Sequence, residues 1–185
     1  MNGPVTVTAK LNMRLMPVSR GSAFEDPLDD RLKELGLGQV NGGGTAMQAN
    51  GEVAYCDIEI ELQSLNEDTI KVVLETLSNL GAAKGSSLRV DANRSIPFGE
   101  LEGLAIYLNG RDLPAEVYAS SDVNVVYSSL DQCVDGMGMV FSYWEGPTET
   151  ALYLYGRTFG EMKSAIQEFV SEYPLCQQCR IEQIA

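Results

Sequence analysis

The chain contains no histidine, and this absence removes several classes of enzyme. Without imidazole there is no Ser-His or Cys-His nucleophilic pair, no imidazole general base and no histidine ligand for a metal ion. A mechanism based on carboxylates and Mg²⁺ needs acidic residues that converge in one cleft, whereas the acidic residues here are scattered along the chain. We therefore expect no catalytic residues, no cofactor and no metal site.

Basic residues are also scarce. The sequence has 13 Lys and Arg residues against 26 Asp and Glu residues, so its formal net charge is -13 at pH 7 and its pI is about 4.3. This charge repels phosphate backbones and anionic lipid head groups, and we expect neither nucleic acid nor a membrane surface as a partner. The same charge attracts a basic protein, although solubility is its more common role.

Long apolar runs and a cysteine framework are missing as well. Residues 1–15 have no apolar run of signal-peptide length, and no segment approaches the roughly 20 apolar residues of a membrane-spanning helix. The cysteines lack the spacing of a disulfide-rich domain, so we expect reduced thiols at Cys56, Cys133, Cys176 and Cys179. These absences predict a cytoplasmic protein.

The first half of the chain begins with alternating apolar and polar residues. This alternation predicts a strand over residues 5–15. A short amphipathic helix is predicted next, with Asp26 as its N-cap, Pro27 at its first position and Gly36 after its end. The dipeptide Asn50-Gly51 is typical of the tight turn in a β-hairpin, and it predicts two antiparallel strands within residues 45–62.

The first half continues with a second helix and a fourth strand. Asn66 is the predicted N-cap of this helix, whose apolar face carries Ile70, Val73, Leu74, Leu77 and Leu80. Gly81 follows it, and residues 87–90 are predicted to form the strand. Residues 91–103 break every periodicity, which predicts a linker.

The second half repeats this order of elements. Strands are predicted over residues 104–109, 137–144, 150–155 and 180–184. One helix is predicted to begin near Ser121 and to end at Gly136. The other begins with the capping box formed by Thr158 and Glu161 and ends at Pro174.

The repeated strand–helix–strand–strand–helix–strand order resembles the split βαβ plait of ferredoxin-like domains. This resemblance implies an α+β fold with two tandem ferredoxin-like βαββαβ units and antiparallel sheets, one unit spanning residues 1–92 and the other residues 93–185. It implies no particular function, because this fold occurs in enzymes, metal carriers, RNA-binding proteins and small-molecule sensors.

Two short motifs have chemical precedents, and we assign neither of them a role. Cys176 and Cys179 have the spacing of a redox pair or half of a zinc site, but no second pair of soft ligands completes a tetrahedral site. Residues 41–45 are rich in glycine, but they lack the Lys of a P-loop and precede a strand. A flexible turn leading into the hairpin is the favoured interpretation of that segment.

Two predicted sheet surfaces are candidates for binding. Alternation along residues 56–62 places Asp57, Glu59 and Glu61 on the sheet face that a ferredoxin-like plait leaves uncovered. In the second half, alternation places Tyr107, Tyr153 and Tyr155 on the sheet face opposite the helices. Two further aromatic residues, Tyr143 and Trp144, are nearby. Base stacking is disfavoured by the shortage of Lys and Arg, so packing against the other half or against a partner protein is expected.

These observations favour a non-catalytic module that binds a basic protein. The expected contact residues are Asp57, Glu59, Glu61, Trp144, Tyr153 and Tyr155, where charge raises the association rate and aromatic side chains contribute affinity. In size, charge and lack of catalytic motifs the chain resembles small acidic bacterial immunity proteins, at the level of class only. A regulatory small-molecule sensor is the alternative, and an enzyme of unrecognised type is a third hypothesis.

Overall fold

The structure, a computed structural model, describes residues 3–185, and they form two compact units. The first unit contains the residues up to Ala49 together with Val53–Glu100. The second contains Asn50–Glu52 and Leu101–Ala185. No helix within the described residues is long and apolar enough to cross a membrane.

The first unit is an antiparallel sheet with helices packed on one face. Its strands follow the spatial order β2-β3-β1-β4-β5, and they are β1 (Val5–Leu11), β2 (Gly38–Met47), β3 (Val53–Leu62), β4 (Ser86–Arg89) and β5 (Ser95–Phe98). The helical segments are α1 (Pro17–Arg20), a π-helical turn (Gly21–Glu25), α2 (Asp26–Glu34) and α3 (Glu67–Asn79).

Local signals in the sequence account for much of this unit. The side chain of Asn66 caps α3 by accepting a hydrogen bond from the backbone N–H of Thr69 at 2.9 Å. Ile70, Val73 and Leu77 form the buried face of the helix. Gly51 has a φ of 84° in the turn between β2 and β3, which is the left-handed conformation expected of a hairpin glycine.

Four predictions for the first half are wrong. β1 ends at Leu11 rather than at residue 15, and Asp26 is no N-cap because helical backbone already begins at Pro17. The glycine-rich residues 41–45 belong to β2 instead of forming a turn. The predicted linker contains β5, which pairs with β4, so residues up to Glu100 group with the first unit.

The second unit has the same architecture without the additional strand. Its strands follow the order β7-β8-β6-β9, and they are β6 (Glu102–Asn109), β7 (Gly138–Glu145), β8 (Glu149–Gly156) and β9 (Arg180–Gln183). Its helical segments are α4 (Ala115–Ser120), α5 (Val123–Cys133), α6 (Phe159–Glu172) and a 3₁₀ turn (Pro174–Cys176).

The helices of the second unit begin and end close to the predicted positions. Asp122, next to the predicted Ser121, caps α5 by accepting a hydrogen bond from the N–H of Asn124 at 2.8 Å. Thr158 caps α6 by accepting from the N–H of Glu161 at 3.2 Å, and that helix ends before Pro174. The short helix α4 was not predicted.

The strand orders establish the fold class. In each unit the first and third strands of the βαββαβ repeat lie side by side at the centre, and the second and fourth strands flank them. The chain is therefore an α+β protein with two tandem ferredoxin-like units and antiparallel sheets, as the sequence predicted.

Candidate functional site

The acidic residues of β3 form a row on one face of the first sheet. Cys56, Ile58, Ile60 and Leu62 are 0% exposed on the opposite face, and this burial confirms the predicted alternation. Within the row, Glu59 is exposed, whereas Asp57 and Glu61 are half-buried. We refer to Asp57, Glu59 and Glu61 as the acidic row.

No member of the acidic row forms an ion pair with a Lys or Arg among residues 3–185. Glu61 accepts hydrogen bonds from the side-chain amides of Gln39 and Asn41, each at 3.4 Å. At this length the bonds are weak. The row therefore retains most of its capacity to bind cations.

The cations nearest to the row along the sheet are engaged elsewhere. Lys10 on β1 is directly opposite Asp57, but its Nζ lies 3.9 Å from the centre of the Tyr55 ring, in a cation–π contact. Arg89 on β4 donates a hydrogen bond to Oγ1 of Thr8 at 3.3 Å. Negative charge thus lies on β3, toward the β2 edge, and positive charge lies on β1 and β4.

Glycines of β2 leave space beside the acidic row. Gly42 is opposite Glu59 and Gly44 is opposite Asp57, and opposite residues of an antiparallel pair project from the same face. A Cβ atom added to either glycine would have no heavy atom within 4 Å. No β2 side chain therefore covers Asp57 or Glu59 at these two positions.

The opposite face of the glycine segment holds a buried ion pair that the sequence did not reveal. Nε of Arg20 lies 2.6 Å from Oε1 of Glu25, and Arg20 is only 6% exposed. Arg20 also donates to the carbonyl oxygen of Gly44 at 3.0 Å and to Oγ1 of Thr45 at 2.6 Å. The glycine run was the signal in the sequence that could have indicated this ion pair, because a strand segment without side chains leaves space that another group fills.

Side chains from the helical segments also protect the edge of the first sheet. Arg20 occupies the carbonyl oxygen of Gly44, and Oδ1 of Asp29 accepts a hydrogen bond from the backbone N–H of Val40 at 2.9 Å. The hydrogen bonds from Lys33 and Val40 hold the pKa of Asp29 below its usual value. Because these β2 backbone groups are already paired, the edge is a poor template for another strand.

The tyrosine face of the second sheet is covered. Tyr107, Tyr153 and Tyr155 lie opposite the apolar core as predicted, but they are 2%, 0% and 0% exposed. This corrects the expectation that Tyr153 and Tyr155 offer a surface to a partner protein. Trp144 is half-buried.

A buried carboxylate in the second unit explains why the hydroxyl groups of Tyr107 and Tyr153 are tolerated inside. The Glu52 side chain accepts hydrogen bonds from the hydroxyl groups of Tyr107 at 2.7 Å and Tyr153 at 2.8 Å, and Glu52 is 4% exposed. Pairing of this kind offsets the cost of removing polar groups from water. No pattern in the sequence singles out Glu52, apart from its place after the Asn50-Gly51 turn.

Arg180 completes the polar arrangement around Tyr107. Its guanidinium carbon lies 3.6 Å from the centre of the Tyr107 ring, and its nitrogens donate to both carboxylate oxygens of Glu149, at 3.1 and 2.9 Å. These hydrogen bonds hold the pKa of Glu149 below its usual value. Arg180 also pairs with Glu182. Arg180, the basic residue that contacts Tyr107, is thus already paired with two acidic residues.

The cysteine pair is part of the core of the second unit. Cys176 is 3% exposed and Cys179 is half-buried, both against the same apolar cluster. Burial raises the pKa of Cys176 to about 12 and also raises the pKa of Cys179. Neither thiol is therefore a thiolate at neutral pH, which is the form that attacks disulfides or binds metals. Among residues 3–185 no three His, Cys, Asp or Glu side chains are grouped closely enough to hold a metal ion.

The second unit contains a groove with an apolar base and a polar rim. Its volume is about 490 Å³. Leu108 and Leu175 form the base, and they are 2% and 9% exposed. Tyr118 and Val123 also line the groove. The rim comes from the end of β6, the start of α5 and the start of β8, namely Asn109, Gly110, Ser121, Asp122 and Thr150.

Comparisons with known proteins add little to this description. No protein-family pattern matches the sequence, and no curated protein matches it significantly. Among solved structures, the chain is similar to the first two RRM domains of yeast poly(U)-binding protein, at 10% identity, with 97% of this chain and 99% of that chain covered and a TM-score of 0.27.

Two bacterial proteins named as monooxygenases are similar to a comparable degree. The one from Fusobacterium nucleatum has 9% identity, coverage of 99% of this chain and 92% of its own, and a TM-score of 0.33. The one from Lactobacillus acidophilus has 13% identity, coverage of 98% and 93%, and a TM-score of 0.31. Similarities this weak support no functional conclusion, and the fold assignment rests on the strand orders.

Proposed function

We propose that the protein is a non-catalytic binding module that docks a basic partner protein on the acidic row. The observation that carries this proposal is the absence of ion pairs from Asp57, Glu59 and Glu61 within the described chain, on a sheet face where Glu59 is exposed. Like charges at alternate positions of one strand lie on the same face and repel one another, so cations supplied by a partner would relieve an unfavourable arrangement.

The open space beside the row supports the same proposal. A Lys or Arg side chain from a partner meets no β2 side chain above Gly42 and Gly44, so it has access to Glu59 and Asp57 from the edge of the sheet. The long, flexible side chains of these residues pair with carboxylates, and Arg does so through a bidentate geometry. Backbone pairing is not required, which is consistent with the protected β2 edge.

Charge complementarity is expected to act mainly on the association rate. Surface charges steer diffusional encounter, and their effect declines as salt shortens the Debye length from about 10 Å at 0.1 M to about 3 Å at 1 M. We retain Trp144 as a candidate aromatic contact and omit Tyr153 and Tyr155, which are buried. An immunity-type inhibitor of a basic protein in the cytoplasm is the most specific form of this proposal.

Two variants of equal net charge test the proposal. The row variant carries Asp57→Asn, Glu59→Gln and Glu61→Gln. The control variant carries Asp135→Asn, Glu168→Gln and Glu172→Gln, which are exposed acidic residues of the second unit with no ion pair among the described residues. Each variant loses three negative charges, so nonspecific effects of net charge are matched. Both are expected to stay folded, because relief of repulsion in the row is worth only a few tenths of a kcal/mol.

The two variants and the wild-type protein are used to capture binding proteins from an extract of the native cell. We expect a basic protein that the wild type and the control variant retain and the row variant loses. The association rate of the wild type with that protein should decline steeply between 0.1 and 1 M salt, and the row variant should respond less. Capture of the same proteins by all three, or equal salt dependence, would exclude the acidic row as a docking site.

The groove of the second unit favours a second candidate function, the binding of a small molecule. A volume of about 490 Å³ lies within the range of known ligand pockets, roughly 300–1,000 Å³. The acidic row lies in the first unit and the groove in the second, so one experiment does not decide both functions.

A further inference from the structure

The groove of the second unit combines apolar area with polar groups that lack partners. Leu108, Val123 and Leu175 supply the apolar area. The hydroxyl groups of Ser121 and Thr150 form no hydrogen bond with the rest of the described chain. By contrast, the Tyr118 hydroxyl is fully used, because it accepts from the N–H of Leu113 at 3.0 Å and donates to the carbonyl oxygen of Asn109 at 3.2 Å.

The charge of the groove and of the second unit indicates which class of ligand the groove would bind. Asp122 is the one formally charged residue that lines the groove in the described chain. Its Oδ1 accepts hydrogen bonds from the N–H and the side-chain amide of Asn124, at 2.8 and 2.9 Å, and its Oδ2 has no partner there. The second unit carries thirteen acidic and four basic residues, which gives it a formal net charge of -9. The electrostatic potential of the groove therefore favours a cation.

An anionic ligand is disfavoured at the same place. The groove lies beside the N-terminus of α5, where the helix dipole would attract an anion. The carboxylate of Asp122 already occupies that position as the N-cap, and the backbone N–H groups of Val125 and Val126 donate to the carbonyl oxygen of Asp122. No Lys or Arg lines the groove within the described residues. A second negative group would be repelled without compensation.

We propose that this groove binds a small organic ammonium ion with an apolar body. The ammonium group pairs with Oδ2 of Asp122, and the hydroxyl groups of Ser121 and Thr150 accept its remaining hydrogen bonds. The apolar body packs on Leu108 and Leu175. The acidic row, which lies in the first unit, has no part in this site, and the proposal does not depend on protein binding there.

Three probes of similar shape test the charge preference on the full-length protein. They are 2-phenylethylamine, 2-phenylethanol and 3-phenylpropanoate, which are cationic, neutral and anionic at pH 7. Each is titrated into ¹⁵N-labelled protein while amide chemical shifts are recorded. We expect the amine to bind with a Kd of about 1 mM, as befits a fragment of this size. Its shifts should be concentrated at Asn109, Gly110, Val123 and Thr150, and the anion should produce none there.

Two matched substitutions test the role of Asp122. Asp122→Asn removes the charge but keeps the cap, because Asn caps helices as well as Asp does. We expect it to raise the Kd of the amine by about 1.5- to fivefold, the range for one exposed charged contact. Asp135→Asn removes the same charge beyond the other end of α5, and it should leave the Kd unchanged. Thr150→Phe fills the groove and should abolish the shifts.

Several outcomes would overturn the proposal. These are equal shifts from all three probes, amine shifts located away from the groove, or equal Kd values for Asp122→Asn and Asp135→Asn. If Thr150→Phe fails to fold, the Asp122 and Asp135 pair still decides the result.

Discussion

The guanidinium of Arg20 and the carboxylate of Glu25 form an ion pair that lies against Gly43 of β2. Their atoms Nε and Oε1 are 2.6 Å apart, and the two side chains are 7% and 20% exposed. A Cβ atom on Gly43 would overlap the Glu25 carboxylate and would lie 2.8 Å from Nε of Arg20. The ion pair therefore requires a glycine at position 43.

Removal of one partner of this pair is expected to destabilise the first unit. Arg20→Met leaves the Glu25 carboxylate partly buried without its cation, and we expect a loss of about 1–3 kcal/mol in the free energy of unfolding. Arg20→Met combined with Glu25→Gln should recover part of this loss, because no uncompensated charge remains. Urea unfolding followed by circular dichroism measures both. A double variant less stable than the single variant would contradict this explanation.

Neighbouring glycines of β2 should respond differently to the same substitution. Gly43→Ala introduces a Cβ atom 2.6 Å from the carbonyl oxygen of Asp57, and we expect a loss of about 1–3 kcal/mol. Gly44→Ala meets open space and should be neutral or should stabilise the protein by up to about 1 kcal/mol, since it restricts the unfolded chain. Urea midpoints of the two variants provide the comparison. Equal losses of stability in the two variants would show that β2 requires the backbone flexibility of glycine rather than the space left by its missing side chain.

Glu52→Gln is expected to destabilise the second unit. The amide oxygen is a weaker acceptor than the carboxylate for the hydroxyl groups of Tyr107 and Tyr153, and the expected loss is about 1–3 kcal/mol. The single tryptophan of the chain, Trp144, lies in this unit, so its fluorescence reports on unfolding there. Glu145→Gln, at the exposed end of β7, is the control and should change stability by less than about 0.5 kcal/mol. Equal effects of the two substitutions would refute a structural role for Glu52.

The buried thiol of Cys56 should make stability depend on alkaline pH. Burial raises its pKa from 9.0 to about 12. Below pH 9 the thiol is protonated in both the folded and the unfolded chain. Between pH 9 and 12 only the unfolded chain loses the proton, so ionisation favours unfolding and stability declines as the pH rises.

The contribution of Cys56 is measured by comparing variants across this range. The urea midpoint of Cys56→Ala should decline less between pH 8 and pH 10.5 than that of the wild type, whatever its absolute value at pH 8. Cys133→Ser is the control, and it should follow the slope of the wild type. Identical slopes for all three proteins would assign the alkaline sensitivity to other groups.

The sequence predicted the elements whose structure depends on residues that are close together in the chain. Three of the signals are the N-cap at Asn66, the turn at Gly51 and the N-cap at Thr158. Each acts within a few residues, so the sequence contains all the required information. Strand alternation likewise separated the two faces of β3 correctly. The order of these elements was sufficient to predict the tandem fold.

Features that depend on distant residues were not predictable in the same way. The glycine run resembles a turn because glycine is flexible, yet its role in β2 follows from Arg20 and Glu25, which lie earlier in the chain. Burial of Tyr153 and Tyr155 has no local signature, since alternation identifies a face but not what covers it. β5 was missed because residues 91–103 break every periodicity. Its Pro97 is accepted in the structure because β5 is an edge strand.

The second unit is discontinuous in sequence, and this affects how the protein can be divided. Glu52 belongs to that unit but precedes most of its residues by about fifty positions, as the ranges Asn50–Glu52 and Leu101–Ala185 show. A fragment that starts at Leu101 therefore lacks the acceptor for the hydroxyl groups of Tyr107 and Tyr153. Similarly, a first fragment that stops at residue 92 loses β5. Truncations designed on the repeat alone would cut through both units, whereas expression of the intact chain preserves them.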